Sequence, residues 1–292
     1  MPRTSFDARP ITPDLGCEIT GLDVGEIGDP AILAEVKALL GRHHMLVFKG
    51  QKMDAARMIA FTEHFGELDT HILRQFTHPD HATVSIISNM EDRKPNVNDV
   101  SLNWHTDLAY RPRPSAFVTL YAEVVPEEGA DTRFASMQRV YRDMTAAEKD
   151  RLRGRRATYS FVHLHSKRPD PDPLTPEQLR ESADVHHPIL RRHPDTGEEI
   201  LYINLPDCIG ISGMETDEAL RTVRDLYDRI TDPRHTHAHK WQPGDLVIWD
   251  NRTLMHSATW FDADRYRRRM LRTVVRGEAP MPSVEGQATA AS

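Results

Sequence analysis

Cysteine is nearly absent: Cys17 and Cys208 are the only two in 292 residues. Two thiols in a chain this long are no disulfide framework, which points to a reducing compartment and a fold held by its own core. Long apolar runs are missing too. No stretch approaches the roughly 18 residues that a membrane-spanning helix needs. The opening "MPRTSFDARP" has no apolar segment of the kind a secretory leader carries. A cytoplasmic protein is the expectation. An excess of positive charge is also lacking, since 37 Lys and Arg stand against 44 Asp and Glu for a net charge of −7. That excludes the basic footprint of a nucleic-acid binder and disfavours anionic membrane surfaces. What remains is globular in composition, 39% hydrophobic and 28% charged, and long enough to bury a sizeable core.

Local patterns divide the chain into a helical start and a strand-rich body. Residues 10–28 alternate around glycines, the mark of a short hairpin. "DPAILAEVKALLGRHH" (29–44) and "DAARMIAFTEHFG" (54–66) carry apolar residues at helical spacing, with "HMLVFKG" (44–50) a buried strand between them. From residue 83 onward short β runs dominate, among them "SAFVTLYAEVV", "RRATYSFVHL", "DLVIWDN" and "MLRTVVRG". Strands punctuated by Pro, Gly and Asp turns predict a mainly β fold of the jelly-roll, cupin-like barrel kind. Two amphipathic helices, 136–154 and 216–231, interrupt them and pack outside the barrel in this reading. The Pro-rich segment 166–182 is long enough to be a lid. Residues 1–280 are expected to form one domain, and the tail 281–292 to be disordered.

The chemistry begins at "NWHTDLAY" (103–110). His105 and Asp107 lie two apart, so in a strand both point to one face. By itself the pair fits a metal-ligand pair, a general base with its orienter, or a plain buried hydrogen bond. "GDLVIWDNRTLMHSA" (244–258) adds His256 from a distant strand. Two imidazoles and one carboxylate make a facial triad that leaves metal positions open, as in non-haem Fe(II) oxygenases. Next, in "DRYRRRMLRTVVRG" (264–277), alternation through Arg268, Met270, Arg272 and Val274 sets two arginines on one face. Arginine grips carboxylates with forked hydrogen bonds and keeps its charge when buried, so a dicarboxylate co-substrate is indicated. Arg265, Arg267 and Arg269 read as a solvated basic face.

Taken in order, "WHTD", "GADT" (129–132), "WDNR" with its following histidine, and the arginine-rich strand resemble the taurine dioxygenase and 2,4-dichlorophenoxyacetate dioxygenase family. The resemblance runs from about residue 10 to 277 and includes "LVFKGQ" and "AFTEHFGELD". It implies an Fe(II)- and 2-oxoglutarate-dependent dioxygenase on a double-stranded β-helix, consuming O2 and hydroxylating a C–H bond of a small organic anion. His105, Asp107 and His256 would hold iron; Thr132 and Arg268 would bind the distal carboxylate of 2-oxoglutarate. Arg267 is adjacent, and alignment on Met270 selects Arg268. His71, Arg74, Leu108 and Arg272 fall at substrate-contacting places. The family's Gly-Gly-Asp-Thr is Gly-Ala-Asp-Thr here, and Arg74 replaces a tyrosine of the taurine enzyme, which argues against taurine itself. Relatives assemble as dimers or tetramers, so a homo-oligomer is expected.

Other histidines invite weaker readings. His235, His237 and His239 in "RHTHAHKW" alternate along a strand without a carboxylate, and His163 and His165 alternate beside the long loop. Tyr202 and Asn204 offer possible substrate contacts, while "HPDTGEE" is a hairpin turn. Two rival functions fit the triad: a zinc hydrolase, for which Arg268 and Thr132 would have no task, and a barrel that only binds a ligand.

Overall fold

Successive residues of the central strands go to different cores. In Met45–Phe48, buried throughout, Met45 and Val47 join one apolar cluster while Leu46 and Phe48 join another. In Leu246–Asp250, Val247 and Trp249 separate in the same way from Leu246 and Ile248. A continuous apolar run is what a strand covered on both faces requires. The computed structural model describes residues 6–70, 74–92, 95–97, 100–168 and 171–283.

These strands lie in a seven-stranded sheet. Its order is Asp7–Pro10, Cys17–Thr20, Met45–Phe48, Leu246–Asp250, Ser115–Val124, Arg269–Arg276 and Val84–Ser88. All its pairings are antiparallel except that of Cys17–Thr20 with Met45–Phe48. One face is covered by helices Pro30–His43 and Ala55–Glu63 through Val36, Leu40, Met58 and Phe61. The other face meets a three-stranded sheet of Thr236–His239, Thr132–Ser136 and Leu254–Ala258. Phe134 and Leu254 project from it onto Val118, Trp249 and Met270. Two sheets closed face to face make the double-stranded β-helix, or jelly roll. Ala135 and Met255 face the opposite way, into a third core shared with helices Met137–Asp143 and Thr216–Ile230. Those helices bury Val140, Val223 and Leu226 in this chain's own core.

Several boundaries differ from the sequence reading. The hairpin pairs Asp7–Pro10 with Cys17–Thr20 and stops before 28. The helix over 136–154 is two, Met137–Asp143 and Ala146–Leu152, because Thr145 caps the second with a reciprocal bond from Glu148. "RRATYSFVHL" is a strand only over Arg156–Tyr159; Ser160 then caps helix Phe161–Ser166. His163 and His165 are therefore helical, and the strand alternation read for them does not apply. Segment 166–182 contains helix Pro176–Arg180. Arg269 is no solvated cation, since it ion-pairs with Glu91 at 2.9 Å and also with Glu123. Residues 281–283, assigned to the tail in the sequence reading, bond to the body: Arg192 N–H donates to Met281 O at 3.1 Å and Ser283 N–H to Leu190 O at 3.2 Å. The remainder of that tail, residues 284–292, lies outside the described residues, as does His71. Both cysteines are free thiols and buried. Among the described residues no helix is long and apolar enough to cross a membrane.

Candidate active site

Two backbone hydrogen bonds explain how residues so far apart in sequence meet. His105 N–H donates to His256 C=O at 2.9 Å, and His256 N–H donates to His105 C=O at 2.8 Å. This antiparallel bridge adds His105 to the edge of the strand Leu254–Ala258. The convergence of His105 and Asp107 does not come from a strand, as expected, but from this bridge followed by a turn. Leu108, next in the turn, has φ +56°, a left-handed conformation that a leucine rarely adopts.

The three side chains converge. One ligand atom from each of His105, Asp107 and His256 lies within 4.8 Å of the others. Nε2 of each imidazole is 3.7 Å from an Asp107 carboxylate oxygen, too long for a hydrogen bond. His105 Nδ1 lies 2.7 Å from Asn103 C=O; donation there leaves the Nε2 lone pair facing the carboxylate. The His256 ring is set by Trp249, with centroids 4.7 Å apart, and by His105 at 4.3 Å. Burial, with His105 and Arg272 alongside, pushes His256 down to about 3 against the pull of Asp107. Burial alone would raise the Asp107 carboxyl; the Arg272 guanidinium and the two imidazoles more than reverse it and hold it well below the usual range. Near neutrality the cluster is thus an anionic carboxylate with a neutral His256, the protonation that a divalent ion needs. Arg272 Nη2 sits 2.6 Å from Asp107 Oδ2, a contact off the line of a hydrogen bond. The donor set of two nitrogens and a carboxylate fits Fe(II), and also zinc.

The cluster lines a cavity of about 160 Å³ between the two sheets. Thr132, Arg268, Arg272 and Leu108 line it as well. Arg268 is 5% exposed, whereas Arg267 is exposed and donates to Ala263 C=O. Alternation separates the two: Met270 and Val274, on the same face as Arg268 and Arg272, reach the inter-sheet core, while Leu271 points to the helix-covered core. Thr132 Oγ accepts from Trp241 Nε1 at 3.0 Å, which leaves its own proton to donate. Ala130 takes φ +57°, so the alanine of "GADT" keeps a backbone suited to glycine. Arg74 is exposed and outside the cavity; Phe76 of the same turn lines it.

Residues 7–274 match the family model described as "Taurine catabolism dioxygenase TauD, TfdA family". The chain belongs to this family. Similar proteins include pentalenolactone F synthase of Streptomyces arenae, 31% identical, with 89% of this chain and 91% of that protein covered. The α-ketoglutarate-dependent 2,4-dichlorophenoxyacetate dioxygenase of Burkholderia sp. (strain RASC) is 28% identical, covering 88% and 90%. Among solved structures, AAD-2 in complex with Mn(II) and N-oxalylglycine superposes with TM-score 0.80 at 26% identity, over 96% of this chain and 100% of that one. A taurine dioxygenase from Burkholderia xenovorans gives TM-score 0.79 at 26%, over 95% and 93%. The protein is an oxidoreductase of the α-ketoglutarate-dependent dioxygenase kind, and the family implies a metal and 2-oxoglutarate.

Within this TauD/TfdA cavity the sequence left several walls unread. Phe76, Asn96 and Arg168 come from a short turn, an irregular segment and a helix end, where no periodicity marks a facing side. Asn204 does line the cavity, while Tyr202 lies behind it and receives a hydrogen bond from Thr106 Oγ at 3.2 Å. His163 faces a neighbouring groove with Lys167 and Arg224. His235 precedes the strand Thr236–His239, and His239 is engaged by Asp245 at 3.1 Å. A second cluster, His193 with Asp195 and Asp250, is closed around Arg252, which pairs with both carboxylates at 2.6 and 2.7 Å.

Proposed function

We propose that the protein is an Fe(II)- and 2-oxoglutarate-dependent dioxygenase that hydroxylates a C–H bond of a small organic anion. The observation that carries this reading is the meeting of His105, Asp107 and His256 in one cavity with Thr132, Arg268 and Arg272. Iron held by that triad supplies dioxygen activation and hydroxylation, with 2-oxoglutarate converted to succinate and CO2. Arg268 and the Thr132 hydroxyl bind the distal carboxylate of 2-oxoglutarate. Arg272 meets the anionic end of the substrate, with the Leu108 backbone beside it; His71 is carried as a substrate contact on the family resemblance alone. Ile87, Tyr110, Leu120 and Leu164 surround its organic body and keep water out. A zinc hydrolase gives Arg268 and Thr132 no task, and the complete set of metal ligands counts against an inert binding barrel.

Two relatives are named for aryloxyalkanoic acids, so aryloxyacetates and aryloxypropionates head the substrate panel, followed by sulfonates and alkyl sulfates. The test is oxygen uptake and succinate formation with Fe(II) and 2-oxoglutarate against that panel. Uptake that needs both, and that His256→Ala abolishes, supports the reading. Turnover of an ester with zinc and without 2-oxoglutarate overturns it. We further read the two free thiols as those of a cytoplasmic protein and expect a dimer or tetramer, to be read from sedimentation.

A further inference from the structure

Behind the triad, two buried amides hold the backbone that presents it. Asn251 Oδ1 accepts from Asp107 N–H at 2.8 Å, and its Nδ2 donates to Asp107 C=O at 3.0 Å and to Ser115 C=O at 3.2 Å. Asn204 Oδ1 accepts from Thr106 N–H at 2.9 Å, while its Nδ2 donates to Asp207 Oδ1 at 2.6 Å. Asn251 is fully buried and Asn204 nearly so. Asn251 belongs to the turn between strands Leu246–Asp250 and Leu254–Ala258, the second of which carries His256. One amide thus ties the Asp107 loop to the element that supplies the distant imidazole.

The loop needs holding. Leu108 follows at φ +56°, and a bulky residue stays in that region only where its surroundings impose it. Asn251 occupies both backbone hydrogen-bonding groups of the preceding residue, Asp107, and Arg111 N–H donates to Leu108 C=O at 2.9 Å. Without Asn251 the turn is free to relax Leu108 toward an ordinary φ, which moves the Asp107 backbone before it and turns the carboxylate away from the imidazoles.

We infer that Asn251, supported by Asn204, is a positioning residue for the Asp107 carboxylate. The inference rests on the reading above that the triad holds a metal ion. Asn251 acts on the carboxylate only through the backbone of Asp107, and removing a group that orients a metal ligand typically weakens metal binding by about 10- to 100-fold.

Co(II) titration of the metal-free, full-length protein, followed by its visible absorption and paired with thermal melts, tests the role. Asn251→Ala weakens Co(II) binding by about 10- to 100-fold and changes the absorption envelope. Asn204→Ala, which frees a single N–H of the neighbouring residue, weakens it by less. His193→Ala breaks the buried contact with Asp250 at 2.9 Å and leaves Asp107 untouched; it lowers the melting temperature and leaves the Co(II) constant alone. Asn251→Ser provides the same comparison should the alanine variant not fold. Folded Asn251 variants that bind Co(II) like the parent with the same spectrum overturn the inference. So does an equal loss in His193→Ala. A parent chain that takes up no Co(II) overturns the metal reading itself, and the positioning role with it.

Discussion

Arg272 has two partners to serve. It lies 2.6 Å from Asp107 Oδ2, and it is also the cation that faces the anionic substrate in the reading above. A hydrogen bond to a charged group contributes about 1.5–3 kcal/mol, so Arg272→Ala should raise KM for the organic acid by about 10- to 100-fold. The KM for 2-oxoglutarate, held by Arg268 and Thr132, should move far less; initial rates with each substrate varied in turn measure the split, and equal shifts would remove Arg272 from the substrate site. A second residue shows the same physics in a stability curve. Asp207 is fully buried, and burial pushes its carboxyl up to about 8 against the bond from Asn204 and the charge of Lys167. In the unfolded chain it ionises near 4. Between those values the unfolded state binds fewer protons than the folded one, so stability falls as pH rises, by several kcal/mol across the window. Asp207→Asn keeps the acceptor for Asn204 and has no proton to lose. We expect the melting temperature of the parent to fall relative to that of Asp207→Asn as the pH rises from 5 to 8, the variant carrying the contribution of the buried histidines that both share; parallel profiles would show that Asp207 is ionised throughout.

At the scale of elements, what the sequence revealed depended on periodicity. Helix Pro30–His43 and strand Met45–Phe48 were legible because their apolar residues repeat at the helical interval or run unbroken. The inward set Arg268, Met270, Arg272 and Val274 was legible by strand alternation, and it holds around the cavity. Loops carry no such period, which is why Phe76, Asn96 and Arg168 stayed unread although they line the same space. Two breaks did carry a signal that the amphipathic pattern drowned out. "TAAE" has the Thr-x-x-Glu spacing of a capping box, and Thr145 does start a new helix there. Ser160 likewise caps the helix that turns "FVHLHS" away from the strand before it. Thr145→Ala removes the side-chain half of that box and should cost about 1 kcal/mol with turnover unchanged. Urea unfolding measures it, and a loss near zero would mean that packing rather than capping ends the first helix.

For the whole molecule the issue is how far the site is built before its ligands arrive. Asp107 and Arg272 already offset each other's charge in the cavity, and His256 is held neutral, so the triad's carboxylate is balanced before a metal ion arrives. We read residues 1–280 as one domain and expect a single cooperative unfolding transition without metal; two separated transitions would divide it. Metal binding to the folded state alone then adds stability by mass action, about 2.7 kcal/mol at 100 times the dissociation constant. At roughly 2–4 °C per kcal/mol for a chain near this size, Mn(II) should raise the melting temperature by about 5–10 °C. 2-Oxoglutarate supplied alone finds Arg268 and the Thr132 hydroxyl for one carboxylate and nothing comparable for its keto acid end, so its shift should be small. After Mn(II), the same concentration should add several degrees more, because the diacid then binds at both ends. This dependence on order follows from placing the two arginines and the triad in one cavity. A shift from 2-oxoglutarate that is the same with and without Mn(II) would place the diacid away from the metal, and no shift from Mn(II) would leave the triad as three convergent side chains without an ion to hold.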